Sequence, residues 1–372
     1  MSSGFCFARI AACAKELKGV EVPKPTYRQA LWMGQDLIRR LEWSLRGSLR
    51  GVAKRSPMIR TARNELVERY HKVLLRGAQV RNRLPNSDPL AQASGVNPEN
   101  MIWIFCSSRS GSTWLRSMMA ELGEHRVWEE PKVGRLFGDF YRSAQDRQLT
   151  SPNFIMGNPT RKGWISLVRN FILGGAGYAH PLLNSRDYLV IKEPGSSAGA
   201  PLIMEALPES RMVFLIRDPR DVVASALDAS RKGSWRYEMM DKPGWKAKAL
   251  ADKKPDDFVR ARANSYLEQI RSIREAYNAH EGRKVLVRYE DLQADTLETM
   301  KRIYSALEIP VEEETLARAV ERHSWENIPK KEKGEGKFYR KGTPGGWRKD
   351  LTPDQAEIVE SITAPLLEEF YP

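Results

Sequence analysis

The sequence has too little cysteine for a disulfide scaffold. Cys6, Cys13 and Cys106 are an odd set, spaced neither as a disulfide framework nor as a C-x-x-C metal knuckle. Nothing here calls for an oxidising compartment, and a reducing cytoplasm is the expected setting. Histidine is scarce too: His71, His125, His180, His280 and His323 show no metal-ligand spacing, so no metal is expected. No run approaches the roughly 18 apolar residues of a membrane span. The most apolar N-terminal stretch, Phe5 to Ala14, is short, contains Arg9 and lacks a basic leader, so it is not expected to act as a secretory signal. Also absent are the G-x-x-x-x-G-K-[ST] loop and an obvious acidic pair for Mg²⁺, which tells against phosphoryl transfer.

What the sequence does have is positive charge, unevenly placed. Lys and Arg number 60 against 47 acids in 372 residues, a net +13. Residues 1–98 hold 18 of those cations and only seven acids, a balance of +11, which leaves +2 for residues 99–372. With 41% hydrophobic and 29% charged residues the chain as a whole is globular in composition.

Apolar residues recur at helical spacing from Tyr27 to Arg50 (Leu31, Ile38, Leu41, Leu45, Leu49) and again at Ile59, Ala62, Leu66, Tyr70 and Val73. Both stretches read as amphipathic helices with arginine-rich outer faces. Leu84 to Asn100, rich in Pro, Asn, Ser and Gly, reads as a linker. The expected division is therefore a basic helical extension over 1–98 and a second unit over 99–372. Basic helices with Trp32 and Leu on the apolar side suit an anionic membrane surface. Packing on the second unit with a solvated arginine face is the equal alternative.

The second unit alternates short apolar runs with helical patterns. Met101 to Cys106, Tyr188 to Ile191, Met212 to Ile216 and Val285 to Val287 read as buried strands. Trp114 to Leu122, Ala200 to Leu207, Asp221 to Ser230 and Asp256 to His280 read as helices. The class implied is α/β: a parallel sheet with helices on both faces.

Three strand-end motifs carry chemistry. Cys106-Ser107-Ser108-Arg109-Ser110-Gly111-Ser112-Thr113-Trp114 turns a strand into a helix and aims N–H groups, hydroxyls and a guanidinium at one point, an oxyanion cradle. An ordinary serine-capped helix start fits that segment too. Arg217-Asp218-Pro219-Arg220-Asp221-Val222-Val223-Ala224-Ser225 repeats the geometry, with Arg217 leaving the strand and Ser225 two helical turns on. A salt-bridged turn reads equally well from it alone. Val190-Ile191-Lys192-Glu193-Pro194-Gly195 ends an apolar strand in a Lys–Glu pair, which faces the ligand crevice in an open α/β sheet unless it is a surface ion pair.

These motifs, with Arg340-Lys341-Gly342-Thr343-Pro344-Gly345-Gly346-Trp347, resemble the sulfotransferases that use 3′-phosphoadenosine 5′-phosphosulfate (PAPS), over residues 101 to about 360. The resemblance implies that the loop Arg109, Ser110, Gly111, Ser112 and Thr113 grips the 5′-phosphosulfate. It implies that Arg217, Ser225, Arg340, Lys341 and Gly342 grip the 3′-phosphate, and that Trp114, Tyr289, Ser324 and Trp325 contact adenine. It further implies that Lys192 and Arg109 assist the leaving group and that Glu193, where family members commonly have His, is the acceptor base, as in glycan-modifying members that use a glutamate. His180 is an alternative base. Two departures limit the resemblance: Gly346 replaces the usual Asp of Gly-Asp-Trp, a local change of the loop, and Pro353 replaces the valine of a dimer motif only approximated by Arg348, Thr352 and Glu357. Thr352-Pro353 reads instead as a helix N-cap with proline at N1, so dimerisation in that mode is not expected.

The aromatics at Phe137, Phe140, Tyr141, Phe154, Trp164, Phe171 and Tyr178, and those from Trp235 to Trp245, read as an acceptor wall or as core. The expectation is thus sulfuryl transfer from PAPS to an acceptor hydroxyl of a carbohydrate or glycolipid, leaving 3′-phosphoadenosine 5′-phosphate (PAP), without metal and without nucleic acid as partner. The setting would be cytoplasmic and, through the basic segment, peripheral on the membrane. The rivals are a Mg-dependent phosphotransferase and a non-catalytic nucleotide-dependent membrane or nucleic-acid binder.

Overall fold

The computed structural model describes residues 96–139, 161–240 and 254–372. The two basic helices expected over 27–50 and 59–73, most of the linker, and Phe140, Tyr141, Phe154 and Trp245 lie outside these described residues.

Five parallel strands form one sheet: β1 (Met101–Phe105), β2 (His125–Glu129), β3 (Tyr188–Lys192), β4 (Arg211–Ile216) and β5 (Lys284–Arg288), in the order β2-β3-β1-β4-β5. Register is set by buried apolar residues on both faces, as in Trp103 opposite Ile191 on one side and Met212 on the other. The sheet and its flanking helices are the architecture expected from the alternating pattern. The strand that pattern missed is β2, at the sheet edge, where His125-Arg126-Val127-Trp128-Glu129 offers only two apolar residues to read.

Side-chain alternation divides the core. Met101, Trp103 and Phe105 of β1 face one layer, which includes α2 (Arg161–Ala179), α3 (Ala200–Ala206) and α6 (Pro255–Ala279). Ile102, Ile104 and Cys106 face the other, against α1 (Ser112–Ala120), α8 (Thr296–Ala306) and α9 (Glu313–Arg322). In α2, Trp164, Val168, Ile172 and Ala176 recur every four residues and form its buried stripe. Among the aromatics read as wall or core, Phe137 and Trp164 are core, whereas Phe171 and Tyr178 are 50% and 79% exposed.

From β1 the chain moves to β2 and β3 on one side, then crosses to β4 and β5 on the other. The order reverses at β1, and the crevice beyond the carboxyl ends of β1, β3 and β4 is where such sheets hold ligands. The 106–111 loop, Lys192 and Arg217 all leave strands there. From β4 the chain enters α4 (Pro219–Ser230), and α5 (Trp235–Met240) follows. After β5 come α7 (Tyr289–Ala294) and, past α9, the short α10 (Trp347–Asp350) and α11 (Pro353–Phe370). The latter starts with a capping box: Thr352 Oγ1 accepts from Gln355 N and Gln355 Oε1 accepts from Thr352 N, the N-cap that Thr352-Pro353 implied.

Candidate active site

At the carboxyl end of β1 the backbone makes a turn that most residues avoid. Arg109 and Gly111 have φ of +76° and +87°. A Cβ added to Gly111 would lie 2.5 Å from the Tyr289 ring, so only glycine fits between loop and ring. α1 then begins with no side-chain cap and no acidic residue in its first turn. Its first N–H groups and the positive end of the helix are left for an external anion. Thr113, Ser112 and Trp114 line the cavity above it. Ser110, by contrast, is fully buried, and its hydroxyl has no hydrogen-bond partner and does not line the cavity.

The cavity holds about 660 Å³, in the range of small-molecule sites. One end is cationic. Arg109 Nε donates to Ser225 Oγ at 3.0 Å and Nη2 to the Phe338 carbonyl at 2.9 Å, with its guanidinium 5.5 Å from the Trp235 ring centroid and 5.3 Å from that of Phe338. Burial, then the neighbouring Arg217, Arg236 and Arg340 charges, lower its pKa to about 10. Arg217 lies 4.2 Å over the Tyr289 ring and donates to the Arg109 carbonyl at 3.1 Å. Its own carbonyl is held by the buried Tyr266 hydroxyl at 2.5 Å. Asp221 accepts Gly345 N at 2.7 Å and Trp347 N at 2.9 Å, which ties the C-terminal glycine loop to the helix that carries Ser225.

In that loop Gly342 has φ +63° and no room for a Cβ, which would meet the Trp325 ring at 2.6 Å. Arg340 and Lys341 each pair with Asp350 at 2.6 Å. Trp114 donates from Nε1 to the His323 carbonyl at 2.8 Å and meets Tyr289 edge-on, and Ser324 and Trp325 complete this wall. The cofactor-binding residues expected from the sequence therefore converge on one cavity, Ser110 excepted. The rings offer flat surfaces, and the guanidinium groups that lack carboxylate partners suit phosphate.

The other end is balanced. Lys192, only 3% exposed, places Nζ 2.6 Å from Glu129 Oε1, 2.9 Å from Glu130 Oε1 and 3.2 Å from Thr113 Oγ1. Glu129 also pairs with Arg116 at 3.1 Å. Both glutamates line the cavity. Neither was singled out in the sequence, because the strand that delivers them was not visible. Arg236 on the cavity wall and the half-buried Arg262, which donates to Ser107 Oγ and the Ser108 carbonyl, carry no motif in the sequence.

Two expectations are corrected here. Glu193 does not face the cavity: it is 0% exposed, and its Oε1 accepts Val133 N at 2.9 Å. The reason is strand alternation: Leu189 and Ile191 face the α2 layer and Val190 the α1 layer, so Lys192 falls on the α1 side and Glu193 on the other. Burial raises the Glu193 pKa to about 7. Arg109, expected to assist the leaving group together with Lys192, lines the same cavity and is anchored on Ser225. His180 packs edge-on against Trp128 outside the cavity, and burial lowers its pKa to about 4.

Among the described residues no group of three or more His, Cys, Asp or Glu is placed to hold a metal, and no helix is long and apolar enough to cross a membrane.

Residues 99–371 match the family model described as the sulfotransferase domain. Cytosolic sulfotransferase 12 of Arabidopsis thaliana is 27% identical over 217 residues, 49% of this chain and 64% of that protein, so the chain spans less than two thirds of that relative's length. Among solved structures, mouse sulfotransferase SULT7A1 complexed with PAP is similar at 15% identity and TM-score 0.47, covering 76% of this chain and 90% of that one. Sulfotransferase STF9 from Mycobacterium avium is similar at 14% identity and TM-score 0.48, covering 76% and 79%.

Proposed function

The chain belongs to the sulfotransferase family, matched over residues 99–371, and from that premise we propose that it is a PAPS-dependent sulfotransferase whose acceptor base is Glu130. The observation that carries the reading is one cavity that gathers Arg109, Arg217, Arg340 and Lys341 at one end and sets Lys192 against Glu129 and Glu130 at the other.

Arg217, Ser225, Arg109 and Arg340, with Lys341 and Gly342, would hold the 3′-phosphate. The uncapped first turn of α1, with Gly111, Ser112 and Thr113, would hold the 5′ end, where Ser110 serves through its backbone only. Tyr289, Trp114, Ser324 and Trp325 would wall the adenine. Bound PAPS supplies an activated sulfuryl group on a phosphate leaving group. Lys192, beside Thr113, neutralises charge that develops on that leaving group. Glu130 takes the acceptor's hydroxyl proton as the acceptor oxygen bonds to sulfur. Glu129 is the weaker candidate, because Arg116 also claims it. Glu130 has φ +46°, a conformation costly for a non-glycine residue and frequent at functional sites.

The acceptor is a carbohydrate or glycolipid hydroxyl, supported by a carboxylate rather than an imidazole at the base position. Residues 1–98 form a basic extension to the catalytic unit at 99–372 and dock the enzyme peripherally on an anionic membrane face from the cytoplasm. The charge excess of +11 in that segment supports this. Incubation with ³⁵S-labelled PAPS and a panel of saccharides, glycolipids, phenols and sterols tests the assignment. Label should pass to a saccharide or glycolipid and be undiminished by EDTA. No transfer to any hydroxyl would reject it.

A further inference from the structure

Glu193 is a buried carboxyl that the proposed chemistry does not use. It is fully enclosed, one oxygen takes the Val133 N–H, and the other has no partner. Burying such a group costs stability unless hydrogen bonds offset it, and here a single N–H does so. Val133 ends the short loop that follows β2 and carries Glu130 and Lys132, whose φ values are +46° and +60°. Two left-handed non-glycine residues within three positions do not hold themselves in place.

The loop is closed on the turn after β3 at several points. Glu130 N donates to the Lys192 carbonyl at 3.0 Å. Gly134 lies so close to Ser196 that an added Cβ would stand 1.9 Å from its carbonyl oxygen, and a Cβ on Gly199 would stand 2.4 Å from Gly134 Cα. Ser197 Oγ sits 2.6 Å from the Glu193 carbonyl and 2.9 Å from that of Cys106, and accepts Cys106 N at 3.1 Å. The turn at 193–197 therefore touches both the start of the phosphate loop and the loop that bears the proposed base.

We infer that Glu193 is a positioning residue: through the Val133 N–H it holds the 130–133 loop so that Glu130 stands at Lys192, facing the phosphate loop that Ser197 ties to the same turn. This rests on the reading of Glu130 as base. A carboxamide oxygen serves the Val133 N–H as well as a carboxylate does, but an apolar chain of similar volume cannot.

The test compares Glu193→Gln, Glu193→Met and Glu130→Gln in the full chain, reading turnover, PAP affinity and hydrogen exchange at the Val133 amide. Glu193→Gln should keep turnover within about three-fold and keep Val133 protected. Glu193→Met should lose at least about ten-fold in kcat with PAP affinity within about two-fold, and exchange at Val133 at least about ten-fold faster. Should Met at 193 prevent folding, Gly134→Ala, which wedges the same loop from the turn, should give the same loss of kcat at unchanged PAP affinity. Wild-type kcat in Glu193→Met would overturn the inference, as would a Glu193→Gln variant as slow as Glu193→Met. Full turnover in Glu130→Gln would instead reject the base assignment, while the exchange at Val133 still reports whether Glu193 holds the loop.

Discussion

The two ends of the cavity are charged in different ways. At the phosphate end Arg109 and Arg217 rest on a hydroxyl, backbone carbonyls and aromatic rings, with the nearest carboxylate of Asp221 3.9 Å from Arg217. At the acceptor end Lys192 is met by two glutamates within 2.9 Å. Cations without partners store attraction for an incoming dianion, whereas a cation already paired adds little to binding but sets the position of the carboxylate beside it. The first end is built to hold and the second to move a proton. Substitutions should therefore separate affinity from rate according to the end they strike.

The largest separation is expected at the acceptor end. Glu130→Gln should lower kcat by on the order of 10² to 10⁴ while PAP affinity stays within about two-fold, measured by single-turnover kinetics and calorimetry. A matching fall in PAP affinity would erase the distinction between the ends.

Arg217→Ala should do the reverse. Removing a charge-assisted contact of roughly 1.5 to 3 kcal/mol weakens PAP by about ten-fold to more than a hundred-fold, read by calorimetry. Saturating PAPS should then restore most of the turnover.

Glu193 lies beneath the acceptor end and should show itself in stability. Its folded pKa of about 7 stands above the usual 4.5. Between these values the folded chain binds the extra proton, so this contribution to stability is complete below about pH 4.5 and is lost as pH rises through about 7. Glu193→Gln should remove that dependence and at pH 8 exceed the wild type by on the order of 1 to 3 kcal/mol in denaturant unfolding. A wild-type pH slope in the variant would contradict the burial argument.

The smallest effect belongs to Lys341. Its ammonium is partly exposed and already paired with Asp350, so Lys341→Ala should change PAP affinity by less than about five-fold, and less still in high salt.

The legible parts of this molecule were those with dense local signals. β1, β3 and β4 are continuous apolar runs buried on both faces, and the Arg109 loop, Arg217 with Ser225, and Lys192 follow them directly. β2 was hidden because a polar edge strand has no run to read, and Glu129 and Glu130 were hidden with it. Glu193 is visible in the sequence but faces the side opposite to the one its motif suggests. The parity from Ile191 through Lys192 already sends it away from α1, and the donor that captures it, Val133, lies 60 positions earlier in the chain. The partners that anchor Arg109, Ser225 and Phe338, are likewise remote, 116 and 229 positions away.

The cations at the phosphate end, Arg217 first among them, are assigned the 3′-phosphate. Calorimetric titration of the full chain with PAP and with adenosine 5′-monophosphate, which differ by that group alone, tests that assignment directly. PAP should bind at least about ten-fold more tightly, the worth of one good charge-assisted contact, and Arg217→Ala should remove most of the difference. Equal affinity of the two nucleotides for the wild-type chain would contradict the assignment.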